Sequence, residues 1–201
     1  DDSQHDGIHT FYVGKNAKVT YSEKHYGEGA GTGKRILNPE TIIYLEEGAS
    51  MTLDLSQIGG VDDTKCYSKC EVGKDAELII QERLLTDGEQ NAGTEMDVFL
   101  KGDNARTRVI SRSVARGHST QVFYPRVQGD CACFGHVSCD AIIMDSSKVR
   151  SIPEITCNHV DATLIHEAAI GKIAGEQITK LMTLGLTAEQ AEEKILEGFL
   201  R

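Results

Sequence analysis

The sequence predicts a mainly β chain, a parallel β-helix followed by a short helical region. Three observations carry this prediction. A turn phrase rich in Gly, Asp and Asn recurs along the chain, its later copies lie 27 to 30 residues apart, and after Ile170 the apolar pattern changes from alternation to helical spacing.

The copies are VGKNAKV (Val13 to Val19), LEEGASMTL (Leu45 to Leu53), VGKDAELII (Val72 to Ile80), LKGDNARTRVI (Leu100 to Ile110) and VQGDCACF (Val127 to Phe134). Each turn leads through a small residue into alternating apolar positions, the pattern of a turn feeding a strand. The small residues are Ala17, Ala49, Ala76, Ala105 and Ala132, and NHVDATLI adds Ala162. Short strands at regular spacing also describe an antiparallel sandwich, but hairpins do not need the same turn once per repeat. Stacked coils do.

In the last thirty residues, Ile178, Leu181 and Met182 recur at helical spacing and stop at Gly185, a residue suited to a helix C-terminus. Thr187-Ala188-Glu189-Gln190 reads as a capping box that opens a second helix, with Ala191, Ile195, Leu196, Phe199 and Leu200 on one face. The expected division is a β-helix over residues 1–172 and a helical region over 173–201.

The chain has 201 residues, with 21 Lys and Arg against 31 Asp and Glu, a net charge of -10. That balance argues against binding nucleic acid or anionic membrane by general charge. No run of 18 apolar residues appears, and DDSQHDG has neither the basic start nor the apolar centre of a signal peptide. The expected location is cytoplasmic, where the six cysteines are free or metal-binding thiols.

EGAGTGKR (Glu28 to Arg35) looks like a phosphate loop, but Arg35 stands where Ser or Thr would hold Mg²⁺. Glu28 would repel phosphate, and Pro39 comes too soon for the helix that faces the anion. A glycine loop without phosphate chemistry is the expectation.

Two segments carry candidate ligands. In CACFGHVSCD, Cys131, Cys133 and Cys139 share parity unless Gly135 breaks the strand, and no paired zinc knuckle is present. Buried core thiols are the plainer reading of them. In LIHEAAIGKI, His166 lies 27 residues after Cys139 and 30 after His136, each near one coil. Adjacent coils lie about 4.8 Å apart, so Cys139, His136, His166 and Glu167 are expected as neighbours, a thiolate, imidazole and carboxylate set that suits iron or zinc. The competing reading places His166 and Glu167 in solvent or at the helix cap. Cys66 and Cys70 read as structural, His118 as an exposed turn residue, and Cys157 as facing the interior.

IHEAAIGKI, Glu176-Gln177, LMTLGLTAEQAEEKILEGF and SCDAIIM, with KHYGEGAGTGKRILNP (Lys24 to Pro39), resemble the core domain of the SufB/SufD family of iron–sulfur cluster assembly proteins. The resemblance implies a right-handed parallel β-helix and a non-enzymatic scaffold that builds a transient [2Fe–2S] or [4Fe–4S] cluster between two core subunits. It implies an ABC-type ATPase partner of the SufC kind on the helical region, with Ile178, Leu181, Ile195 and Phe199 as docking residues, a sulfur donor, and apo-protein acceptors. Hydrolysis of ATP then belongs to that partner. Cys139-Asp140 matches the cysteine step of SufB-like sequences and His166-Glu167 their H-E pair, whereas SufD-like sequences usually have a small residue in place of the glutamate.

The chain departs from the family in lacking the N-terminal helical region, which marks a short member or a core, and a homodimer is expected in place of the SufB–SufD pair. Ile165 stands where SufB-like sequences often have an acidic residue, and Cys131 and Cys133 are candidates to supply a missing ligand. The alternative reading is a SufD-like structural partner that holds no cluster. A β-helix polysaccharide lyase or esterase is disfavoured, because such enzymes usually act after export.

Overall fold

The computed structural model describes residues 3–27 and 33–201. Residues 28–32, most of the glycine loop, lie outside the described residues. The chain after the loop is held in place: Lys34 Nζ donates to Asp63 at 3.0 Å and the Arg35 backbone N–H to Asp62 at 2.8 Å.

Among the described residues, fifteen strands wind through six coils. The first coil contains β1 (Ser3–His5), β2 (Ile8–Val13) and β3 (Lys18–His25), and the second β4 (Arg35–Leu37), β5 (Glu40–Leu45) and β6 (Ser50–Ile58). Single long strands make the middle coils: β7 (Asp63–Val72) and β8 (Glu77–Thr86), β9 (Asn91–Leu100) and β10 (Arg106–Ala115), then β11 (Thr120–Gly129) and β12 (Phe134–Ile143). The sixth coil holds β13 (Lys148–Ser151), β14 (Glu154–Cys157) and β15 (Thr163–Gly171). All pairings are parallel, one sheet running β15-β12-β10-β8-β6-β3 and the other taking the remaining strands. The chain is a parallel β-solenoid, as its repeats predict.

The recurring phrase is the corner between the two sheets. Asn16, Gly48, Asp75 and Asn104 take left-handed backbone conformations there, which Gly, Asn and Asp tolerate best. The N–H of the next residue then closes the turn, as Ala105 does on the Gly102 carbonyl at 3.0 Å. Coils approach so closely at this corner that a Cβ on Gly102 would sit 2.1 Å from the Lys74 nitrogen. Small residues stack beneath the turn.

One member of that stack differs from expectation. The N–H of Phe134 bonds to the Ala105 carbonyl and the N–H of Thr163 to the Cys133 carbonyl, so the ladder runs Ala49, Ala76, Ala105, Cys133, Ala162. Cys133, not Ala132, occupies the corner. Gly135 does not break β12 either; it pairs in register with Thr107 and Leu164, and its missing side chain makes room for Leu164.

The interior has two zones. Met51, Leu53, Leu78, Ile80, Val98, Leu100 and Val109 fill the side near the alanine corner. Toward the opposite corner the lining turns polar and pairs with itself, Gln57 with Thr64 and Thr86 with Ser119. Buried polar groups need such partners.

Helix α1 (Gly175–Met182) and helix α2 (Ala188–Phe199) come after β15, with the Thr187–Gln190 capping box formed and Gly185 at positive φ. Ala191 and Leu196 are buried, and Arg116 Nη2 donates to Glu193 at 2.5 Å, which ties α2 to the end of β10. Ile178, Leu181, Ile195 and Phe199 are half-buried, while Met182 and Leu184 are exposed.

Candidate functional site

Register decides which candidate ligands meet. Phe134 pairs with Thr163, so one coil step is 29 residues at this level. Cys139 therefore stands opposite Ala168, His166 opposite Val137, Glu167 opposite Ser138 and His136 opposite Ile165. Cys139 and His166 share the inward face as diagonal neighbours. His136 and Glu167 share the outward face.

Cys139 is buried at the border of the two interior zones, in a row that runs Glu82, Ser111, Cys139, Ala168 across four strands. Burial pushes its thiol up, the Ser151 hydroxyl beside it pulls the other way, and the Glu82 and Asp140 carboxyls add to the rise. Ser151 is a neighbour that the local motif does not reveal; it comes from the same coil period carried into the sixth coil.

His166 ends an apolar row. Ile80, Val109 and Val137 precede it on successive strands, and its Nε2 is buried with no hydrogen-bond partner. Burial depresses its pKa below the ordinary imidazole value, Glu167 opposes this, and His136 adds to it. An imidazole nitrogen that carries no proton has a lone pair that can accept a hydrogen bond or bind a metal.

On the outer face, His136 Nε2 lies 3.0 Å from Glu167 Oε1, the carboxylate largely in solvent. Strand β15 is the last of its sheet, so its outer edge has no partner among the described residues. Ile165 and Ile170 are exposed beside that edge. No group of three or more His, Cys, Asp or Glu side chains among the described residues is arranged to hold a metal ion. The donors stand on two faces of one open-ended sheet.

Cys131 and Cys133 lie just before β12, Cys133 being six residues and about 20 Å from Cys139 along an extended strand. Cys131 donates to the carbonyls of Leu100 and Gly102. Cys70 is fully buried, its thiol pushed up to about 12 by burial, and Cys66 is half-buried; both face inward on β7. His118 is exposed in its turn near Glu89, and Cys157, on the inward side of β14, is exposed because its coil is the last.

The family model for the SUF system FeS cluster assembly SufBD core domain matches residues 1–199. The chain belongs to the SufBD family. An iron–sulfur cluster assembly SufBD family protein of Archaeoglobus fulgidus is 30% identical over 98% of this chain and 52% of its own length. A namesake from Methanocaldococcus jannaschii is 30% identical over 94% of the chain and 60% of itself, and a chloroplastic one from Arabidopsis thaliana 27% identical over 98% and 37%. The chain thus spans about half the length of these first archaeal relatives. The family takes its description from iron–sulfur cluster assembly by the SUF system. No helix among the described residues is long and apolar enough to cross a membrane.

Proposed function

We propose that this SufBD chain is a scaffold subunit on which a nascent iron–sulfur cluster is built between two core subunits and then handed to an apo-protein. The observation that carries the reading is the orphaned Nε2 of His166, a buried ligand nitrogen at the open end of the solenoid, diagonal to the Cys139 thiol. Buried polar atoms are rarely left unpaired without a reason.

The donor set suits a transient site. Thiolate binds iron and sulfide clusters firmly, whereas imidazole and carboxylate release them more readily. Cys139, His166 and Glu167 supply one of each, with His136 holding Glu167 until iron competes for it. Because Glu167 and His136 face outward while Cys139 and His166 face inward, one chain does not gather the set; in this reading a second copy, added at the free edge of β15, completes it, with Cys139 of one chain working beside His166 of the other. The cluster is cargo, and the chain performs no catalysis on it.

An ABC-type ATPase is the proposed partner of the helical region. Ile178, Leu181, Ile195 and Phe199 are half-buried on the two helices, and Met182 and Leu184 beside them are exposed. Nucleotide hydrolysis then takes place on the partner.

Anaerobic reconstitution with ferrous iron and inorganic sulfide tests the reading. Wild type is expected to gain a cluster chromophore and bound iron, and Cys139→Ser to lose both. Equal filling of the two proteins would remove Cys139 from the site, and failure of both would turn the reading toward a SufD-like structural partner.

A further inference from the structure

Two thiols outside the proposed cluster site converge on one glycine. Gly129, the last residue of β11, pairs with Cys157 of β14. A Cβ built on Gly129 would lie only 2.7 Å from Cys133 Sγ, so the sulfur occupies the space that a side chain at 129 would fill. Paired residues of parallel strands point their side chains the same way, one strand spacing apart, about 4.8 Å. The Cys157 side chain therefore extends alongside the Cys133 sulfur. Cys131, two residues before Cys133, donates its thiol to the Leu100 and Gly102 carbonyls instead. Burial pushes the Cys133 thiol up, Cys131 pulls the other way, and Cys157 adds to the rise.

The arrangement is peculiar to one coil. Every other corner from the second coil on carries alanine at the position of Cys133. There the sulfur fills the space left by Gly129, which pairs with Leu100 of the coil before it. Cys157 is exposed and Cys133 is buried behind it, the disposition of an attacking thiol and a resolving one.

We propose that Cys157 and Cys133 form a thiol–disulfide exchange site for low-molecular-weight disulfides, whose internal disulfide fastens the sixth coil to the fifth. The Cys157 thiolate attacks one sulfur of the small disulfide, whose S–S bond breaks and releases one thiolate. The Cys133 thiolate then attacks Cys157 Sγ, the mixed disulfide breaks, and the second small thiolate leaves. Two protein thiols are oxidised, the small disulfide is reduced to two thiols, and these take the two protons. A small dithiol reverses the reaction.

The consequence reaches the neighbouring site. β14 and β15 belong to the same last coil, joined by the turn at 158–162, so a bond from Cys157 to the fifth-coil corner restrains the strand that carries His166 and Glu167. Oxidation is expected to stiffen the end coil against opening.

The test needs neither iron nor sulfide, so its result is independent of the scaffold reading. The reduced chain is incubated anaerobically with glutathione disulfide, quenched by alkylation and mapped by peptide mass spectrometry, with limited proteolysis in parallel. A Cys133–Cys157 crosslink is expected, reversed by dithiothreitol, together with several-fold slower cleavage in residues 144–162. Cys157→Ser removes the crosslink and the protection, and so does Cys133→Ala, which puts the residue of the other corners in place, each variant being checked for an unchanged circular dichroism spectrum. Cys139→Ser leaves both in place. A lasting glutathione adduct on Cys157 with Cys133 still free, or a Cys131–Cys133 pair instead, would overturn the proposal.

Discussion

His136 on β12 and Glu167 on β15 meet at 3.0 Å on the outer face of the sheet, while Cys139 and His166, on the same two strands, face inward. Ligands that look contiguous in the sequence are thus sorted onto opposite sides. The pair joins the last coil to the one before it at the point where a second chain would meet the free edge. Because Glu167 is mostly solvated, the ion pair contributes little to stability, below about 1 kcal/mol. Glu167→Ala is expected to shift the thermal midpoint by less than about 3 °C while lowering the iron retained after anaerobic reconstitution by more than half. Scanning calorimetry and iron analysis on the same samples check both halves of the statement.

Glu82 gives a pH prediction. Its carboxyl is fully buried and burial raises its pKa, although Thr94 and Ser111, each at 2.7 Å, pull the other way. An acid whose folded pKa is raised favours the folded state while protonated, and that contribution is lost as pH rises from the ordinary glutamate value through the folded one. Glu82→Gln keeps the shape without the charge. It is expected to match wild type near pH 4 and to be increasingly more stable than wild type toward neutrality, by about 1.4 kcal/mol for each unit that the folded pKa is raised. Urea unfolding across pH reads this directly, and a difference that does not change with pH would contradict the assignment.

At the alanine corner the prediction is steric. A methyl group on Gly102 would fall 2.1 Å from the Lys74 nitrogen and 2.4 Å from its Cα, both backbone atoms that cannot swing aside. Gly102→Ala is therefore expected to cost at least about 2 kcal/mol, measured as a lower urea midpoint. Gly88→Ala is the contrast, since nothing lies within 4 Å of its Cβ and only its positive φ is strained. It should cost about half as much.

The helical region offers a partner test that spares the fold. Met182 and Leu184 are exposed, unlike the buried Leu196. Met182→Asp with Leu184→Asp is expected to abolish copurification with the proposed ABC-type ATPase partner while leaving the circular dichroism spectrum unchanged. Retained copurification would move the docking surface elsewhere.

How far the sequence can be read depends on the register. The turn phrase and its period are enough for the solenoid, because the corner repeats once per coil and Gly, Asn and Asp have a physical reason to stand there. The capping box at Thr187 is equally legible, being local. The site is less so. A step of 27 from Cys139 to His166 differs by two from the true coil step of 29 and keeps the face, whereas the 28 residues from Cys139 to Glu167 differ by one and reverse it. Small variations in coil length, invisible in composition, decide which side chains meet. The same slip puts Ala132 in the expected corner ladder in place of Cys133, and hides the approach of Cys157 to that corner.

The central claim is that the cluster lies between two chains, with the cysteine of one and the histidine of the other. Differently tagged Cys139→Ser and His166→Ala chains can be coexpressed and the mixed dimer isolated through both tags. If ligands come from opposite chains, one of the two sites in that mixed dimer keeps both residues and the other loses both. Anaerobic reconstitution should then give half the wild-type iron, while either variant alone gives none. A mixed dimer as empty as its parents would place both ligands in the same chain and contradict the account.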